Sequence, residues 1–226
     1  MTADAVRHDA PRDPELPGRL LTTERDVLIP LLRARPDADF ALRTACPGWT
    51  VRDVLAHCSA ALSRVVEGRF EEGVFSPESN DRDIAERASW SNQDVVDELE
   101  RGMTGAGAAI ARAGGALDGV ALGEWVHAGD VREAFGEPGA YAGAGLPVAL
   151  RLLVRISRER GHVALRADVD DVDDAAGPLV LGSAGSPPGR FIGAAATLVR
   201  LYAGRPVIGV HYELAGVRES ELNLFG

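Results

Sequence analysis

The sequence predicts an α+β fold, with a bundle of four helices followed by a smaller unit that mixes helix and strand. Three observations carry that expectation. Before residue 140, apolar residues recur at helical spacing in four segments bounded by capping and breaking residues. After it come runs rich in β-branched residues that lean toward period two: Val163, Leu165, Ala167 and Val169, then Pro178 to Leu181, then Val207 to Leu214. A chain of 226 residues, 46% hydrophobic and 26% charged, is long enough to bury a core in each unit. The expected organisation is a disordered lead over residues 1–17, the bundle over 18–140 and the mixed unit over 141–226.

The first helix is expected over Leu20 to Leu32, where Leu20, Leu21, Val27, Leu28, Leu31 and Leu32 share a face. Thr23 is a candidate N-cap, and Pro30 is expected to kink or interrupt the run. Pro47-Gly48 then breaks the chain. A second helix is expected from Val51 to Glu67, with Thr50 as N-cap and Asp53 three residues on, as in a capping box. Gly68 to Trp90 lacks periodicity and reads as a long connection. Ser91 or Asn92 caps a third helix, Val95 to about Ala113, and a fourth is expected from Leu117 to Phe135, ended by Gly136. Beyond Ala140, an amphipathic helix is expected over Leu146 to Arg160 and another over Phe191 to Tyr202, ended by Gly204.

Charge narrows the function classes. A net charge of -10 leaves no basic surface for phosphates, so nucleic acid is not an expected partner. No run approaches the roughly 18 apolar residues of a membrane span, and the polar N-terminus lacks the apolar core of a signal peptide. A cytoplasmic location is therefore expected, with Cys46 and Cys58 as reduced thiols. No dinucleotide fingerprint, Walker loop, nucleophile elbow or C-x-x-C is present.

Histidines remain as the chemistry. His8, His162 and His211 read as surface residues, which leaves His57 and His127 on helices. On a wheel at about 100° per residue, His57 lies roughly 120° from the centre of the apolar stripe of its helix, on the flank that a neighbouring helix would face. Cys58 falls on the core face as a buried thiol. Glu124 and His127 sit about 60° apart among Val120, Val131, Ala134 and Phe135. Burying that pair is costly unless the two bond each other or share an ion. The E-x-x-H spacing is also how bundle proteins present two metal ligands inward. Two histidines and a carboxylate suit Zn²⁺, with positions left for water or substrate.

The stretch PGWTVRDVLAH, residues 47–57, closely resembles the signature helix of the mycothiol-dependent maleylpyruvate isomerase-like family, within the DinB-like bundles. Glu124, His127 and Asp130 in EWVHAGDVREAFG are similar to its second landmark. AAATLVRLYAGRP, residues 194–206, is similar to the helix and Gly-Arg turn of the sterol-carrier-protein-like C-terminal domain in these proteins. The resemblance implies a DinB-like bundle followed by that domain, with a Zn²⁺ site of two His and one Glu (His57, His127 and Glu124). It also implies mycothiol as cofactor, bound through its thiol as a thiolate that adds to a small electrophilic substrate. Isomerase and S-transferase activities both follow that route; the alternative is a non-catalytic metal-binding or small-molecule-binding bundle protein. In the family pattern the carboxylate stands four residues before the histidine. That position here is Gly123, so Glu124 is shifted by one, and Asp130 is the alternative ligand. Trp49 and Asp53 read as structural, and Arg200 and Arg205 as surface positions able to face an anion.

Overall fold

The computed structural model describes residues 11–70, 76–171, 177–183 and 188–225. The fold is α+β, as expected. Helices α1 (Leu16–Ala34), α2 (Val51–Glu67), α4 (Asn92–Arg112) and α5 (Asp118–Ala134) form the bundle, and the short α3 (Pro77–Glu86) packs on α2. After a connection that includes residue 140, α6 (Leu146–Glu159) lies against α1 and α5 and carries the sheet on its other side. Strands β1 (Leu165–Val169), β2 (Leu179–Leu181), β3 (Gly189–Gly193) and β4 (Glu213–Ala215) run in the order β2-β1-β3-β4, with β1 and β3 parallel and both edge pairs antiparallel. Helix α7 (Ala195–Tyr202) follows β3 and packs on it and on α6. Buried apolar residues from Leu16 to Leu224 form one cluster running through both halves. No helix among the described residues is long and apolar enough to cross a membrane.

Local signals explain the helices that matched. Thr50 and Asp53 make the reciprocal capping box at the start of α2, and Ser91 and Asp94 make another at α4. The departures have physical causes too. The expected disordered lead falls partly outside the described residues, as does His8, but its later part is held in place. Arg12 donates to Asp118 at 2.7 Å, and α1 opens at Leu16 with Pro17 in its first turn, so Thr23 lies inside the helix and caps nothing. Pro30 does not interrupt α1; it sits on the exposed side of the helix, where the backbone carbonyl it leaves without its N–H partner is open to solvent.

The connection expected over Gly68 to Trp90 contains α3. That helix has almost no apolar stripe and is anchored by a buried acid, Asp83, which accepts from Arg64 Nη1 of α2 at 2.8 Å. Phe191 to Gly193, read as helix, belong to β3, because Phe191 pairs beside Ala167 of β1 and buries its ring. The strand expected over Val207 to Leu214 shrinks to β4; Ile208, Val210 and His211 are exposed outside it.

Candidate metal and ligand site

The site lies where α2 and α5 meet the loop before α2 and the turn after α7. The loop is a tight β-turn, Cys46-Pro47-Gly48-Trp49, closed by a bond from Trp49 N–H to Cys46 C=O at 3.2 Å. Proline presets the first central position, and Gly48 takes the φ of +83° that the second one requires. The turn delivers the Trp49 ring to the bundle, 5.1 Å from the His57 ring and 6.0 Å from that of His127, centroid to centroid. The turn after α7 is a Schellman motif: Gly204 N–H bonds Leu201 C=O at 3.1 Å and Arg205 N–H bonds Arg200 C=O at 2.9 Å. It aims Arg205 back at α5.

The imidazoles of His57 and His127 converge, with centroids 5.4 Å apart at 77°. Two imidazoles bound tetrahedrally to one zinc ion would stand about 5 Å apart by the same measure. Both rings are held neutral, the form that binds metal: burial pushes His57 down to about 4, helped by the Arg64 charge, and burial lowers His127 against the pull of Asp130. Glu124 is buried on the same wall. Burial raises its carboxyl to about 8, offset in part by the neighbouring Cys58 thiol. His57 Nδ1 and Glu124 Oε2 are buried without a hydrogen-bond partner among the described residues. Such orphaned atoms are costly unless something binds them; His57 Nδ1 has the Asp83 carboxylate 3.8 Å away, and two imidazoles with a carboxylate are the donor types a divalent ion takes.

Asp130 is differently placed. Its Oδ2 accepts from His127 Nδ1 at 3.1 Å and from Arg205 Nη2 at 2.7 Å, and its Oδ1 from Tyr141 Oη at 2.6 Å and Arg205 Nε at 2.8 Å. Burial alone would raise this carboxyl; the His127 and Arg205 bonds outweigh it and hold it at about 2. Gly129 makes the contact with Tyr141 possible, since a Cβ there would stand 2.4 Å from the Tyr141 ring. An ionised Asp130 fixes the proton of His127 on Nδ1 and leaves Nε2 free as a donor atom.

Among the described residues, Cys46, His127 and Asp130 are the group whose ligand atoms all fall within 4.8 Å of one another; those of His57, Glu124 and His127 stand further apart. In that trio Asp130 is already saturated, and burial pushes the Cys46 thiol up. The rings and Glu124 line a cavity of about 440 Å³, a volume that suits a small-molecule ligand.

His57, Glu124 and His127 all line one cavity. Arg205, read as a surface position, is instead tied to Asp130, and Arg200 pairs with Glu133 at 2.5 Å. Reading the sequence missed Cys46, the contact of Trp49 with both histidines, and Tyr141. The Pro-Gly turn was a visible signal for the first two; nothing local marks Tyr141.

Comparisons with known proteins give the family and the fold. Residues 21–137, more than half the chain, match the mycothiol maleylpyruvate isomerase N-terminal domain family. Crystal structures of the mycothiol-dependent maleylpyruvate isomerase, and of a histidine-to-alanine mutant of it, superpose with a TM-score of 0.55 at 20% sequence identity, over 92% of this chain and 96% of theirs. No curated protein matches. With residues 47–57 and the helix of Glu124 and His127 both inside the matched span, the chain belongs to the mycothiol maleylpyruvate isomerase N-terminal domain family.

Proposed function

We propose that this chain is a metal-dependent enzyme that uses a low-molecular-weight thiol, mycothiol, to act on a small electrophile, as an isomerase of the maleylpyruvate type or an S-transferase. The observation that carries this reading is the convergence of two neutral imidazoles, 5.4 Å apart, beside a buried carboxylate with an unpartnered oxygen. His57, His127 and Glu124 would hold the ion, and imidazole with carboxylate favours Zn²⁺. Bound there, the ion supplies Lewis acidity, which lowers the pKa of a thiol and polarises a carbonyl oxygen.

The remaining work belongs to the chain's own side chains. Asp130 acts through His127, keeping its proton on Nδ1, and Arg205 and Tyr141 keep Asp130 ionised and still. Its lone pairs are spent in that role, which favours Glu124 over Asp130 as the third ligand. Trp49 packs its ring against both imidazoles.

The test begins with metal analysis of purified protein. Close to one zinc per chain is expected, with His57→Ala and His127→Ala each losing it; a His57→Ala protein that keeps its zinc overturns the ligand set. Mycothiol consumption with maleylpyruvate or an alkylating electrophile then tests turnover. A second reading, ligand binding without catalysis, draws on one feature: Glu124 lies against Cys58 with its carboxyl raised to about 8, a protonated state that an ion would have to displace. Zinc without any thiol consumption would favour it.

A further inference from the structure

Four charged side chains besides the histidines line the cavity: Asp81, Glu124, Arg160 and Arg205. Their charges are committed very differently. Arg205 is spent on Asp130 through three contacts of 2.7 to 3.1 Å. Glu124 is buried beside Cys58, and Asp81 is exposed on α3 without an ion pair among the described residues. Arg160, the residue that ends α6, has no carboxylate partner among the described residues.

Arg160 is nevertheless held in place. Its Nη1 donates to the Leu224 carbonyl at 2.7 Å, and its guanidinium carbon stands 5.9 Å from the centre of the Phe225 ring. The tail that carries this carbonyl is itself pinned, with Leu222 and Leu224 buried and Leu224 N–H bonded to Tyr202 C=O at 2.8 Å. Gly119 of α5 makes room for the guanidinium; a Cβ there would come within 2.9 Å of Nη2. A fork of N–H donors on an exposed residue is thus positioned at the wall of a ligand-sized cavity, with no carboxylate partner among the described residues. The buried Arg64 and Arg87 are paired with Asp83 and Glu98, whereas Arg52 also bonds only backbone carbonyls among the described residues.

We infer that Arg160 is the anion anchor of the cavity, taking a carboxylate of the substrate through its free guanidinium N–H groups while the reacting part of the molecule lies toward His57 and His127. This rests on the proposal that the cavity is the ligand site, though not on the metal. A bidentate guanidinium–carboxylate contact also fixes orientation, which a point charge would not. The Phe225 ring beside it adds an apolar edge against the carbon skeleton of the ligand.

The test is the affinity of the purified, zinc-loaded protein for maleate and for its uncharged diamide, measured by calorimetry. Wild type is expected to favour maleate by tenfold or more. Arg160→Gln is expected to bring maleate down to the level of the diamide with zinc content unchanged, and Arg160→Lys to keep part of the preference. Gly119→Ala, which crowds the guanidinium without removing it, is expected to weaken maleate in the same direction. Equal maleate affinity in wild type and Arg160→Gln overturns the inference, as does a wild type without preference for the dianion. If the protein carries no zinc yet the preference exists and vanishes in Arg160→Gln, the metal proposal fails and the anion anchor stands.

Discussion

Two buried carboxylates lie six residues apart on the same helix and have opposite surroundings. Asp118, at the start of α5, is fully buried and accepts from Arg12 Nε at 3.0 Å and Nη2 at 2.7 Å, with Arg155 on its other side. Glu124 is almost as buried but lies against Cys58 on the cavity that His57 and His127 also line, and one of its oxygens has no partner among the described residues. The first arrangement ties residue 12, α5 and α6 together. The second leaves a group that folding does not satisfy. The first carboxylate is paired by arginine; the second is left with neutral neighbours and a raised pKa, the pattern that marks a candidate ligand or functional group.

The largest effect that tests this contrast is on stability. Asp118→Asn leaves two arginines facing a neutral amide in a buried site and is expected to cost about 3–5 kcal/mol. Glu124→Gln replaces a largely protonated acid by its near isostere and is expected to cost under about 1 kcal/mol in metal-free protein. Urea denaturation of both variants decides; equal losses would erase the distinction.

Next comes the division of labour around His127. Asp130→Asn is expected to weaken zinc binding by about 10–100-fold, as loss of an orienting partner does, whereas His127→Ala removes the site. Competition with a chelator separates the two. Complete zinc loss in Asp130→Asn would make Asp130 a direct ligand.

The smallest effect is a pH dependence. With its carboxyl raised to about 8 in the fold, Glu124 holds a proton in the native state that the unfolded chain has already released. The folded form then binds more protons, so this group's contribution to stability falls as pH rises toward 8. The histidines, lowered in the fold, act below their ordinary value of 6.5 and in the opposite sense. Between pH 6.5 and 8, metal-free protein is expected to lose about 1–2 kcal/mol. Glu124→Gln should flatten that slope, and an unchanged slope in the variant would remove the assignment.

Sequence by itself determined the α+β class, the start and end of α2, the capped start of α4 and the placement of His57 and His127 on two bundle helices. These rest on local physics: a side-chain cap, a Pro-Gly turn and apolar spacing act within a few residues and leave their marks there. Other features depended on partners far along the chain. Helix α3 has no apolar stripe and forms because Asp83 meets Arg64, 19 residues earlier. The end of α7 could not announce that Arg205 reaches Asp130, 75 residues away, any more than Gly129 could announce Tyr141. Helix α5 is buried on nearly every side, so its periodicity did not say which face met the cavity. Only the tertiary structure decided that, because the free energy of burying and pairing a charge depends on what other segments bring to it.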